Sequence, residues 1–440
     1  MVTATNLPLP QLLARLDGER LRAYREHLDF YRGLQWPGPN RRRERRLTFN
    51  YARAFIDKIT AYLVNGASVV AEPADASPSA EDAARRVQQA LRRAHDDNDL
   101  EQLDFETEID CAVLGDGSYK VTWDQEVSRV RITAPDVQGL FAWWAGDDPS
   151  RIWRVASRYT LTDEELALLH PKVSFKPRAS GHTVVELWTE ASFQFWADDA
   201  LAEERPNPYG FIPFVIFPNI REPKQFWGTS DLAAISEPAQ ELNRALSQLS
   251  AILELSGNPV AVLENVERAE DIAVQPGAVW ELPEKARAYL LDLLQGGGVK
   301  LHTDYIELLY RALHDLSEAP RTAFGDNVRS LSGVALEMEL HPLLHKVRRK
   351  RLIRAAAYRR RAEMVLRLTE RMTGERFPGA GLHVLWGPVL PQDQSRLARD
   401  EKLLVEAGLH SRRTAMQLLG VPDVERELRE VELKALPKPG

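Results

Sequence analysis

Seven apolar residues, Leu232, Ile235, Ala239, Leu242, Leu246, Leu249 and Leu253, succeed one another at alternating steps of three and four. A seam of that kind lays one apolar stripe along a helix, and such a helix packs lengthwise against other long helices. Gly257 and Pro259 close it, because glycine suits the left-handed cap and proline has no amide hydrogen to donate. A second long helix opens after Gly296-Gly297-Gly298, carries Leu301, Tyr305, Leu308, Ala312 and Leu316 on one face, and stops at Pro320. Between them, residues 259–282 read as short strands and turns, with Gln275-Pro276-Gly277 as one turn. The expectation is a helical hairpin with a small excursion at its far end. Helices of about 20 to 27 residues reach roughly 30 to 40 Å.

The rest of the chain frames this hairpin. Residues 10–65 show helical periodicity on either side of the loop Trp36-Pro37-Gly38-Pro39-Asn40. The basic run 41–46 reads as a solvated segment rather than a nucleic-acid contact. Residues 71–80 are linker-like, and helical patterns follow at 79–95 and 101–113. From Gly115-Asp116-Gly117 the pattern changes to alternation, and 118–123, 127–133, 152–159, 183–189 and 193–196 read as strands. After the hairpin comes a polar loop around Gly325, then a long helix starting at Ser332. Pro342 is expected to kink or break that helix. Its cations Lys346, Arg348, Arg349, Lys350, Arg351, Arg354, Arg359, Arg360 and Arg361 do not keep to one face, the pattern of a helix contacted from several sides. Short helices at 395–407, 411–419 and 425–434 end the chain. The fold class expected is α+β, mainly helical, with a β-rich domain inserted between helical parts.

With 440 residues, 44% of them hydrophobic, the chain is long enough for more than one domain. No stretch approaches the roughly 18 to 20 apolar residues of a membrane span, and residues 1–16 lack a basic start and a small-residue cleavage site, so secretion is not expected. Cys111 is the only cysteine, which excludes an intrachain disulfide and a cysteine-based zinc cluster. Net charge is −7, from 64 acidic and 57 basic residues. That balance disfavours a protein that grips nucleic acid all over its surface, which would rely on many cations against phosphate.

Motifs for chemistry are missing from the sequence. The nucleotide loop G-x-x-x-x-G-K-[ST] and the nucleophile elbow G-x-S-x-G do not occur. His341 and His345 have the spacing of a metal pair, but Pro342 stands where H-E-x-x-H needs glutamate. Asp96, Asp97 and Asp99 lack the glycine and closing glutamate of a calcium loop. Trp143-Trp144 reads as packing before it reads as a base-stacking platform. No enzyme activity, cofactor or metal is expected.

Six short motifs in order carry a resemblance. They are Tyr31-Arg32-Gly33-Leu34-Gln35-Trp36 with Asn50-Tyr51-Ala52; Gly115-Asp116-Gly117; and Asn207-Pro208-Tyr209-Gly210-Phe211-Ile212-Pro213-Phe214. Gly228-Thr229-Ser230-Asp231-Leu232, Ser332-Gly333-Val334-Ala335-Leu336 and Glu406-Ala407-Gly408-Leu409 complete the set. Over residues 25–425 the chain resembles the portal proteins of tailed bacteriophages, siphophage type. The resemblance implies an N-terminal helical part of the wing at 1–114, a β-rich wing domain at 115–227, a first stem helix at 228–256 and a clip at 257–298. It further implies a second stem helix at 299–319, a tunnel loop at 320–331, a long kinked wing helix and return strand at 332–389, and a helical crown and tail at 390–440. Stem packing falls to Leu232, Ile235, Leu242, Leu246, Leu249 and Leu253. The tunnel loop would present Arg321, Asp326, Asn327 and Arg329 to DNA, with Arg321 or Arg329 touching phosphate transiently and the acid preventing a tight grip.

The same resemblance implies a dodecameric ring at one capsid vertex, assembled in the host cytoplasm, through which double-stranded DNA passes. Its implied partners are the terminase large subunit, a head-completion or adaptor protein, and the major capsid and scaffolding proteins, with no membrane. A different reading of the seam is a cytosolic helical scaffold that oligomerises as a simple coiled coil and has no DNA role.

Overall fold

The computed structural model describes residues 8–39, 45–257, 260–265, 285, 287–291, 298–325, 333–377, 379–390, 394–421 and 424–435. Contacts divide the chain into two units, residues 1–64 with 68–385, and residues 65–67 with 386–440.

The larger unit starts with α1 (Leu9–Leu13), α2 (Gly18–Tyr31) and α3 (Tyr51–Leu63). Helix α3 starts where it does because the Asn50 side chain accepts from Arg53 N at 3.2 Å, and it buries Phe55, Ile56, Ile59 and Leu63. After β1 (Ser68–Glu72), α4 (Pro78–Asp97) begins at a Ser77 cap with proline in its first turn and turns Ala83, Ala84, Val87, Leu91 and Ala94 inward. Helix α5 (Leu100–Leu114) is stopped by Gly115 at φ 113°.

The β-rich part follows as β2 (Asp116–Asp124), β3 (Arg129–Thr133), β4 (Leu140–Ala145) and β5 (Asp148–Leu161). Then come α6 (Asp163–Leu169), β6 (His182–Trp188), β7 (Ser192–Ala197), β8 (Ala200–Pro206) and β9 (Phe214–Pro218). Strands β3-β2-β9 form one antiparallel sheet and β4-β5-β6-β7-β8 a second, in which each strand pairs with the next. Leu9 and Leu13 of α1 close one face of the five-stranded sheet over Phe141, Ala156, Val185 and Leu187. Two of its strands escape the sequence reading. Strand β8 is exposed along its whole length and has no apolar alternation, so only backbone pairing defines it; β4 carries the Trp143-Trp144 pair.

Next come β10 (Ile220–Arg221), β11 (Gly228–Thr229), α7 (Ser236–Gly257), β12 (Val260–Glu264), β13 (Arg287–Leu291) and α8 (Gly298–Ser317). Strands β12 and β13 pair antiparallel, Val260 opposite Leu291 and Glu264 opposite Arg287, between the two long helices. A single 3₁₀ turn, Arg321–Phe324, leads toward α9 (Gly333–Thr373), and β14 (Gly381–Leu385) returns to pair with β1. Of the kink or break expected at Pro342, the break does not occur: α9 runs 41 residues through it. Leu340, Leu343 and Val347, all buried, hold the helix down on both sides of the proline.

The smaller unit consists of α10 (Gln394–Glu406), α11 (Arg412–Leu418) and α12 (Val424–Ala435). Ser411 caps α11 through Thr414 N at 3.1 Å, and Glu401, buried at 5% exposure, holds His410 Nδ1 at 2.8 Å.

Candidate functional site: the helical hairpin and its footing

Helices α7 and α8 pack along each other. The seam that predicts α7 divides in three. Leu232 and Ile235 are fully buried but precede the helix. Ser230 causes the delay: its hydroxyl faces the carbonyls of Ala112 and Val113 at the end of α5 and accepts from Leu232 N at 3.0 Å, so the chain turns before it coils. Ala239 and Leu242 are buried within the helix. Leu246 and Leu249 are half-buried, and Leu253 is 53% exposed. Burial therefore fades away from the base of the hairpin.

Polar groups also hold α7. Phe49 N donates to Asn243 Oδ1 at 2.8 Å and Leu47 N to Ser247 Oγ at 3.0 Å, while Asn243 Nδ2 donates to Gln35 Oε1 at 2.6 Å. Arg45 pairs with Glu254 at 2.6 Å, so the end of the basic run lies along a helix of its own chain.

On α8 the expected packing stripe faces outward. Leu301 is 73% and Leu308 61% exposed, with Leu316 also open, while Tyr305, partly open, reaches Glu241 of α7 at 3.4 Å through its hydroxyl. The inward side is instead Leu313, His314 and Ser317. His314 meets Phe55 of α3 and Phe324 edge-on, and Tyr310 meets Tyr51. An apolar period alone does not say which side is covered, since aromatic and polar residues here do the covering.

Of the four loop candidates, Arg321 is described; Asp326, Asn327 and Arg329 lie outside the described residues. Arg321 sits 4.5 Å over the Tyr310 ring and 2.9 Å from Glu307, so its guanidinium has a carboxylate partner on α8.

The footing of the hairpin is a row of buried charges that the sequence reading missed. Lys346, Lys350, Arg354 and Arg361 share one face of α9 and are almost wholly buried. The cations of this helix do lie on several faces, with Arg348, Arg349, Arg359 and Arg360 exposed, but the steps of four, four and seven put Lys346, Lys350, Arg354 and Arg361 on a single buried stripe. Lys346 Nζ lies 2.8 Å from Asp231 Oδ1, and Lys350 pairs with the other oxygen. Lys350 is also 3.7 Å from Glu108, which takes Arg354 in a fork at 2.7 and 2.8 Å. Arg354 also donates to the carbonyls of Pro218 and Asn219, and Arg361 pairs with Asp104. Burial works to raise the Asp231 carboxyl, but Lys350 and Lys346 outweigh it and hold the group well below the usual carboxylate range. For Arg354 burial acts against the charge, and its facing groups, the Glu108 carboxylate among them, outweigh it. Sequence reading assigns charges to the surface by default. The usable signal was the step of four from Asp104 to Glu108, on the face of α5 that continues to Cys111.

Two further polar centres support the β-rich part. Asp116 accepts from the Tyr24 hydroxyl at 2.5 Å and from Gly228 N at 2.8 Å, and burial pushes its pKa up to about 7. His182, fully buried, places Nε2 2.8 Å from Asp163 and Nδ1 3.0 Å from Asp198, joining α6, β6 and the β7–β8 turn. Trp144 stacks on Phe226 at 4.6 Å, and Arg154 lies 3.9 Å over Trp143, so both tryptophans pack within the chain. His341 and His345 are exposed with ring centroids 4.3 Å apart. Among the described residues no group of three or more candidate ligands could hold a metal ion, and no helix is long and apolar enough to cross a membrane.

No curated protein matches the chain. A family model, described as phage portal protein, SPP1 Gp6-like, matches residues 19–435.

Proposed function

The chain belongs to that phage portal family, which it matches over nearly its whole length, and on that premise we propose that it forms the ring-shaped channel of one capsid vertex. In this reading a dodecamer serves DNA packaging by the terminase large subunit, retention and ejection of the DNA, and attachment of the tail through a head-completion or adaptor protein. Major capsid and scaffolding proteins surround it during assembly. Helices α7 and α8 are the stem, the β12–β13 segment belongs to the clip, and the loop that begins at Arg321 faces DNA.

The observation that carries the reading, beside the family match, is the outward stripe Leu301, Tyr305, Leu308 and Leu316. A long apolar face left open along a helix calls for a neighbour, and copies in a ring supply one. The coiled-coil adaptor is disfavoured, because Leu232, Ile235, Ala239 and Leu242 are already spent inside the chain.

Native mass of the purified protein, with negative-stain images of the same peak, tests the ring. Particles with a central hole and the mass of a dodecamer of the 49.8 kDa chain support it; a compact dimer or trimer without a hole rejects it. For the loop, Arg321→Ala combined with Arg329→Ala should lower packaging efficiency while rings still form. Unchanged packaging would remove phosphate contact from the proposal.

A further inference from the structure

One buried side chain touches both feet of the helical hairpin. Lys346 Nζ lies 2.8 Å from Asp231, just before α7, and donates at 2.9 Å to the carbonyl of Ser317, the last residue of α8. The Lys346 side chain is 4% exposed. Charge balance does not require it there. Asp231 already pairs with Lys350, Glu108 with Arg354 and Asp104 with Arg361, so the three acids of this row are matched before Lys346 is counted. A further buried ammonium costs stability unless something compensates. The compensation is local: the last carbonyls of α8 carry the partial negative charge of a helix C-terminus. Lys346 therefore sits where the entry and the exit of the hairpin can be held by the same group. On the surface nearby, Arg349 and Glu318 at 2.6 Å repeat the tie between α9 and the end of α8.

We propose that Lys346 is the pin of the hairpin, a positioning residue that fastens the entry of α7 and the exit of α8 to α9 together. The two helices then move as one lever about α9 and do not shift separately. That the lever would act on a channel rests on the portal reading; the pin is a property of the single chain and is tested there.

Lys346→Met keeps the methylenes, removes the ammonium and leaves Asp231 its partner Lys350. Hydrogen exchange of the full chain, followed by mass spectrometry, reads the result. Peptides covering residues 230–240 and 312–320 should both exchange about ten-fold faster, with the β4–β8 sheet unchanged. Faster exchange at one foot only, equal acceleration in the sheet, or no change overturns the pin. Should the variant not fold, the unmodified protein carries the test. Both feet should then open with the same denaturant dependence, and separate openings overturn the proposal. None of these readouts depends on ring formation, so failure of the pin and failure of the portal reading are distinguishable.

Discussion

Arg354 has no exposed surface and bonds to Glu108, Asn219 and the Pro218 carbonyl. Removing one member of such a pair strands the other charge in the core, which costs about 3 to 5 kcal/mol. Glu108→Gln should therefore destabilise the chain on that scale in chemical denaturation, far more than Glu363→Gln, whose pair with Arg359 is exposed. His182 gives a pH signature. The Asp198 hydrogen bond raises its pKa, burial opposes this, and Asp163 adds to the rise. A group whose folded value is raised stabilises most below its unfolded value, about 6.5, and that contribution is lost as pH rises through the folded value. Denaturation midpoints on either side of neutrality should show this decline in the native chain, and His182→Gln should flatten it. A variant with the same slope would assign the pH dependence elsewhere.

At the level of elements, the junction between α5, β2 and β11 decides where the hairpin leaves the β-rich part. Gly115 ends α5 at φ 113°, and Gly228 approaches so closely that a Cβ on it would lie 2.5 Å from Gly115 O. The contact is with backbone, which cannot swing away as a side chain would. Gly228→Ala should cost about 1 to 3 kcal/mol, the range of overpacking, measured by thermal or urea unfolding. In the sequence Gly115 was visible as a turn residue and Gly228 as the first residue of a motif. That they meet each other, over a hundred residues apart, was not, because nothing local to either one encodes the approach. Helix α9 makes the same point in reverse: Pro342 argues locally for a break, and the buried contacts of Leu340, Leu343 and Val347 prevail.

For the whole molecule, the open stripe on α8 separates folding from assembly. Leu308→Glu changes a side chain that is 61% exposed, so the folded chain should lose less than about 0.5 kcal/mol. Within a ring, the same carboxylate would be buried against a neighbour and oppose association. Native mass should then show folded protein that no longer forms the large species, and intact rings would move the subunit interface away from this face.

The sequence by itself determined the mainly helical α+β class, the two long helices with their excursion, most strands of the β-rich part and the order of motifs that marks the family. These follow from periodicity and from glycine and proline, which act within a few residues. Only the tertiary structure decided which faces are covered: that Leu232 and Ile235 pack before α7 starts, that the α8 stripe looks outward, and that Lys346, Lys350, Arg354 and Arg361 point into the core. The physical reason is that a charge is tolerated in the core where a carboxylate from a distant segment meets it, and the partners here, Asp104, Glu108 and Asp231, lie more than a hundred residues away along the chain.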